Sequence, residues 1–202
     1  LGPMTALDED HVLSANAAPA GGISASAADM SRWIALQLAQ GALPEEGARL
    51  YSAQVAREMW TPHTLVPTNA TAVPSGAAPL FSTYALGWRV IDYRSHRIIW
   101  HTGGIVGFRS VAVLAPDLDV GFAILTNAED TGLIMGLTYE LLDHYIAPAA
   151  PRRNWPEQWA KHLAMRAAAA VETRPARPRD SRPPLPLGAY AGNYADPWYG
   201  SI

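Results

Sequence analysis

Four consecutive residues, His101-Thr102-Gly103-Gly104, put an ionisable ring, a hydroxyl and a backbone N–H with no side chain in front of it on one short stretch. They follow an apolar run, Arg97-Ile98-Ile99-Trp100, and precede a second, Ile105-Val106-Gly107-Phe108, that begins after a turn. On a strand edge this set suits acyl transfer: the ring holds charge or moves a proton, the hydroxyl meets the substrate, and the bare N–H faces a developing oxyanion. It is half of an active site, and the nucleophile has to be sought elsewhere.

Composition narrows the search. The chain of 202 residues is 49% hydrophobic, enough for a real core. A net charge of −3 and a pI near 6.1 give no basic field for nucleic acid or an anionic membrane surface. There is no cysteine, which excludes disulfides, thiolate catalysis and zinc–thiolate sites. Lys161 is the single lysine, so a lysine base has one candidate. No apolar stretch reaches the roughly 20 residues of a membrane span, and Leu1 opens without the charged and apolar regions of a signal peptide. A first residue other than Met fits an upstream piece that has been removed, and Gly2-Pro3-Met4 fits a cloning junction.

The elements that must position the motif are legible in outline. Residues 1 to 19 read as loop. Ser26 followed by Asp29 reads as a capping box for a helix running to about Gln40, with Met30, Trp33, Ile34 and Leu38 inward and Gly41 as its stop. A short helix after Ser52, with Val55 and Met59 inward, ends before Pro62, and a Pro/Thr/Ala/Ser-rich loop follows to Pro79, of a kind that often shapes the mouth of a site. Strands are predicted at Tyr84–Asp92, His96–Thr102, Gly107–Leu114 and Val120–Thr126. The connectors Asp92-Tyr93-Arg94-Ser95 and Ala115–Asp119 make them an antiparallel meander. Glu129 to Ile146 reads as a helix covering the sheet with Leu133, Leu137, Leu141 and Tyr145, and Asn127 as its cap before a substrate ligand. Pro156 starts a last helix through the alanines at 167–170, a Pro/Arg-rich linker runs from Arg174 to Pro186, and the tail to Ile202 has strand-like aromatics.

Four segments then carry a resemblance. Pro19-Ala20-Gly21-Gly22-Ile23-Ser24-Ala25-Ser26-Ala27-Ala28-Asp29-Met30, Tyr84-Ala85-Leu86-Gly87-Trp88, His101-Thr102-Gly103-Gly104-Ile105-Val106-Gly107-Phe108 and Ile124-Leu125-Thr126-Asn127 occur in that order. Together they resemble the C-terminal half of the serine β-lactamase and penicillin-binding-protein-like hydrolases, the group related to class C β-lactamases, over residues 15 to 146. Tyr190-Ala191-Gly192-Asn193-Tyr194 resembles the start of the small β-rich domain that follows in many of them, and Leu1-Gly2-Pro3-Met4-Thr5 faintly resembles an earlier Leu-Gly-Met segment.

The resemblance implies an α/β (α+β) fold, an antiparallel sheet flanked by helices of the β-lactamase/transpeptidase kind, incomplete in this chain. It implies attack on an acyl carbonyl by a serine in Ser-x-x-Lys, with a Tyr or Ser relaying protons. In that scheme His101 supplies charge or moves a proton, Thr102 offers its hydroxyl, Gly103 leaves room for the substrate backbone, and the Gly104 N–H is one of two oxyanion donors. Trp33, Trp88 and Trp100 read as core before substrate platforms, with a place bordering the pocket as the alternative for Trp88 in Gly87-Trp88. No metal or cofactor is implied, and the location is periplasmic or secreted, with the cytoplasm as the alternative. The domain reading is 1–147 for the hydrolase portion, 148–186 for helix and linker, and 187–202 for the start of a β-rich module.

One departure is decisive. The residue three before Lys161 is Gln158, so the chain contains no Ser-x-x-Lys. The nucleophile is therefore expected upstream of Leu1, and the sheet is expected to show an exposed edge or an uncovered apolar face, inviting the N-terminal half of the domain or a second copy. The other expected partner is a small-molecule or peptide acyl substrate. Read alone, His101 is more often an ordinary strand-end histidine, Gly21-Gly22 is a turn, and Ser52 and Ser110 lack a neighbouring base. His11, His63, His96, His144 and His162 lack metal-ligand spacing. A non-catalytic binding protein built on a remnant of the fold is the competing reading.

Overall fold

A computed structural model describes residues 5–6, 17–44, 47–69, 72–172, 182–198 and 200–201. Most of the Leu1–Thr5 segment, His11 and the first part of the Arg174–Pro186 linker lie outside the described residues. The chain divides into two compact units, Leu1–Arg166 and Ala167–Ile202.

The first unit opens with a one-turn helix, α1 (Ala18–Gly21), and then α2 (Ala27–Leu38). The capping box is made as expected: the Ser26 hydroxyl accepts from the Asp29 N–H at 3.2 Å, and the Ser26 N–H donates back to the Asp29 carboxylate at 3.0 Å. The helix stops because Gln40 and Gly41 both take positive φ, 52° and 89°. α3 (Ala53–Met59) follows, capped by Ser52. Then come six strands, β1 (Thr64–Leu65), β2 (Ser82–Tyr84), β3 (Arg89–Tyr93), β4 (His96–Ile105), β5 (Phe108–Ala115) and β6 (Val120–Thr126), and two helices, α4 (Thr131–Ile146) and α5 (Trp155–Glu172). The strands form one antiparallel sheet in chain order, the meander that the turn signals predict.

Register explains why the strands are apolar on both sides. Ile98 pairs with Ile91 and faces α4, while its neighbour Ile99 pairs with Val90 and Leu114 and faces α2. Successive side chains alternate across the sheet, so helices on both faces demand continuous apolar runs. One layer holds Tyr93, Val111, Val113, Met135, Tyr139 and Trp155; the other holds Ile34, Trp60, Trp88, Val90 and Leu114.

Several expectations shift. The strand predicted at Tyr84–Asp92 is two strands, because Gly87 at φ 78° turns the chain back and lets the Ala85 N–H bond the Trp88 carbonyl at 2.7 Å. The next turn is only Arg94-Ser95, both at positive φ, so β3 runs through Tyr93. The inward face of α4 is Ile134, Met135, Thr138, Tyr139 and Leu142, with Leu133 and Tyr145 exposed. The reason is that α4 is sandwiched: a Cβ on Gly136 would lie 2.4 Å from the Pro156 Cα, so α5 presses on its second face. On α3 the buried residue is Ala56 rather than Val55, and on α2 Gln37 is buried while Trp33 is exposed. Asp130, not Asn127, caps α4, accepting from the Leu133 N–H at 2.8 Å.

Trp155 opens α5 one residue ahead of Pro156, and with Trp159 it lies in the α4-side core, so the first unit extends past residue 147. The long loop before Pro79 contributes β1 and also Ala77, whose carbonyl accepts from the Tyr139 hydroxyl at 3.1 Å. That part of it anchors the helical layer. The second unit holds the end of α5, a short helical turn at Leu187–Tyr190 and a strand pair, β7 (Ala195–Asp196) with β8 (Gly200–Ser201). Among the described residues no helix is long and apolar enough to cross a membrane.

Candidate functional site

The four motif residues lie inside β4, each paired across β5: His101 with Ala112, Thr102 with Val111, Gly103 with Ser110 and Gly104 with Arg109. On the opposite side β3 begins at Arg89, opposite Trp100. From His101 to Ile105 the strand therefore pairs with one strand only, and no strand among the described residues bonds its other edge, although α1 also approaches β4. The tight turn after β2 creates this edge by ending the sheet there. The strand itself continues to Ile105, and the reversal falls at Val106-Gly107, where Gly107 has φ 80°.

His101 is exposed and held. Its Nε2 lies 3.0 Å from the Tyr84 hydroxyl, the two rings meeting edge to face at 5.9 Å. The Arg89 guanidinium stands 6.0 Å from the centre of the Tyr84 ring, at the outer limit of a cation–π contact. Thr102 is exposed too, on the other face of the strand. Gly103 has to be small for a local reason: a Cβ there would sit 2.2 Å from the Ser110 Oγ. At Gly104 a Cβ would come within 3.0 Å of an Arg109 guanidinium nitrogen.

The end of the hairpin is pinned by charge. One Arg109 nitrogen donates to the carbonyls of Ile105 and Phe108 at 3.1 and 2.9 Å, and the other lies 3.5 Å from Glu129. The Glu129 carboxylate also accepts from the Gly107 N–H at 2.6 Å. Glu129, expected as the first residue of the helix, is thus a tether that sets where Gly103 and Gly104 stand.

Of the residues singled out by sequence, His101, Thr102, Gly103 and Gly104 share this open edge. Trp88 does not border it, being 7% exposed and packed with Ile34, Trp60 and Leu114 in the α2-side layer. Trp100 leans against the opposite layer. Sequence reasoning missed Tyr84, Arg89, Arg109 and Glu129. Tyr84 stood inside a segment already singled out, but no spacing rule places its hydroxyl on a histidine two strands away. Ser110 has no base within hydrogen-bonding reach, and no group of three or more His, Asp or Glu that could hold a metal occurs among the described residues. Leu86 after β2, Val106 and Phe108 at the β4–β5 turn and Leu125 on β6 are exposed apolar side chains.

A family model described as Beta-lactamase matches residues 2–144. The chain is 32% identical over 195 residues to a protein of Aspergillus campestris named Unguisins hydrolase ungD', an alignment covering 91% of this chain and 34% of that protein. It is 33% identical over 160 residues to Unguisins hydrolase ungD of Aspergillus violaceofuscus, covering 75% of this chain and 27% of that one. The chain spans about a third of the length of these curated relatives.

Proposed function

This chain belongs to the Beta-lactamase family, and we propose from that premise that it supplies one wall of a serine hydrolase site that works through an acyl-enzyme on an amide, ester, peptide or β-lactam. The observation that carries the reading is the open edge of β4, where a tyrosine-held histidine and two side-chain-free residues follow one another. An extended acyl substrate can lie along such an edge, since strand addition satisfies its backbone groups. His101, oriented by Tyr84, then serves as the charged or proton-transferring group, Thr102 as a hydroxyl contact and the Gly104 N–H as an oxyanion donor. The hydrolase names of the two relatives support the reaction class.

The serine has to come from outside these 202 residues, because no Ser-x-x-Lys occurs among them. A fluorophosphonate probe, nitrocefin and p-nitrophenyl esters test this. The 202-residue chain by itself is expected to remain unlabelled and inactive, and labelling is expected once a Ser-x-x-Lys segment of its protein is supplied ahead of Leu1. In that complemented protein His101→Ala should lower kcat/KM about 10²- to 10⁴-fold. A labelled serine within the isolated chain, or unchanged kcat/KM in His101→Ala, refutes the reading. The missing Ser-x-x-Lys favours one second reading, a binding protein that uses the open edge for a peptide or another chain. It predicts a stable complex by light scattering with no turnover after complementation.

A further inference from the structure

A second feature lies at the other end of β4, four residues before His101 and so roughly 13 Å along the strand at ~3.3 Å per residue. It is a cleft of about 460 Å³, within the range of small-molecule sites, whose lining includes Gln40, Arg57, Trp60, Arg97, Asp117 and Asp119. Its charges sort into a satisfied pair and a free pair. Asp117 accepts from the Arg97 backbone N–H at 3.2 Å, and the Arg97 guanidinium stands 3.9 Å away. The Arg57 guanidinium and the Asp119 carboxylate, both on solvent-exposed residues, have no hydrogen-bonding or ionic partner among the described residues.

The backbone and the apolar part of the lining add to this picture. Among the described residues four non-glycine residues have positive φ; Arg94 and Ser95 make a hairpin turn, and the other two, Gln40 where α2 ends and Asp119 where the β5–β6 turn ends, both line this cleft at φ 52°. Such backbone is costly outside glycine, least so for Asp and Asn, and it clusters at binding sites. The apolar part of the lining includes Trp60, 5% exposed, whose indole N–H, like those of Trp100 and Trp159 elsewhere, has no acceptor among the described residues.

We propose that this cleft binds a small zwitterion, an amino acid or short peptide, with its carboxylate on Arg57, its ammonium on Asp119 and its side chain over Trp60. A guanidinium fork matches a carboxylate, a lone carboxylate matches an ammonium, and the neutralised Arg97–Asp117 pair leaves one charge of each sign to be met. The site is independent of the acyl-transfer reading, since it shares no residue with the His101 edge.

Titration of the ¹⁵N-labelled 202-residue chain with L-leucine, L-leucinamide and N-acetyl-L-leucine tests it, read at the Trp60 indole N–H assigned with Trp60→Phe. L-Leucine is expected to shift this resonance saturably. The amide, which lacks the carboxylate, and the acetyl derivative, which lacks the ammonium, are expected to bind at least ~10-fold more weakly, as are Arg57→Gln and Asp119→Asn with the parent ligand. Asn tolerates the left-handed backbone at 119, so that variant keeps the turn, and the dispersion of the remaining spectrum confirms folding. No saturable shift with L-leucine, equal shifts from the three compounds, or unchanged affinity in both variants overturns the proposal.

Discussion

The Asp143 carboxylate is the point at which the helical layer is locked to the sheet. It accepts hydrogen bonds from the Tyr93 hydroxyl on β3 at 2.7 Å, from the Trp155 indole at the start of α5 at 2.7 Å and from Arg94 in the hairpin turn at 2.8 Å. Tyr93 and Trp155 are 3% and 0% exposed, so Asp143→Ala leaves two largely buried donors without their acceptor. At about 1–3 kcal/mol for each, the expected cost is about 2–6 kcal/mol. The Arg94 contact adds little, because that side chain is 37% exposed and regains water. Asp143→Asn keeps the shape and one acceptor oxygen but turns an amide N–H₂ toward one of the donors, so its loss should be about half as large. Urea unfolding followed by near-ultraviolet circular dichroism reads this directly, since Tyr93, Tyr139 and Trp155 stack in one cluster with centroids 5.1 Å apart at each step. Variants that both stay within about 1 kcal/mol of the parent, or an Asn variant worse than Ala, refute the reasoning.

The same network predicts a pH profile. Burial pushes the Asp143 carboxyl up, but the hydrogen bonds from Tyr93, Trp155 and Arg94 outweigh it and hold the group below its ordinary 3.8. Its contribution is therefore complete above that value and is lost as pH falls through the lower folded value. Burial, with Asp143 second, raises the Tyr93 hydroxyl to about 12 from 10.0, so on the alkaline side stability is complete below pH 10 and drains as pH rises toward 12. In unfolding experiments the parent is expected to hold a stability plateau from about pH 5 to 9 and to lose more stability below it than Asp143→Asn, which has no carboxyl to protonate there; equal acid-side losses in the two proteins would show that the carboxyl is ordinary. Gly136→Ala should destabilise by about 1–3 kcal/mol in thermal unfolding, because the new methyl meets the Pro156 backbone, which cannot rotate away; a neutral result would mean that α4 and α5 are not in contact there. Ser26→Ala should cost about 1 kcal/mol by removing the hydroxyl that accepts from the Asp29 N–H, while the Ser26 N–H keeps its bond to the Asp29 carboxylate, with a null effect counting against the cap. Tyr84→Phe should change the His101 ring ¹⁵N shifts while leaving the unfolding midpoint nearly unmoved, and unchanged ring shifts would show that the hydroxyl does not hold the imidazole.

How much of this was legible beforehand differs by level. The meander, the α2 cap and the helix after β6 follow from local chemistry: Ser and Asp three apart, turn residues between apolar runs, and periodic apolar positions. Which side of a helix faces inward was less legible, and at α4 the expected face was off by one residue. A helix buried on two sides shows no single apolar stripe, and Gly132 and Gly136 count as polar gaps in a pattern although they mark close approach of α5. The division of Tyr84–Tyr93 into two strands depended on one glycine turn inside an otherwise continuous strand-like run.

The motif His101-Thr102-Gly103-Gly104, the absence of cysteine and the absence of Ser-x-x-Lys are properties of the sequence alone, and they determined the chemistry to look for. Tertiary structure alone decided that β4 has an open edge from His101 onward, that Tyr84 holds His101, that Glu129 and Arg109 pin the hairpin, and that Trp88 is core. The physical reason is range. Caps, turns and periodicity are set by groups a few residues apart, whereas the Tyr84–His101 pair spans 17 residues and the Asp143–Tyr93 bond 50, contacts that exist only once strand register has brought distant segments together.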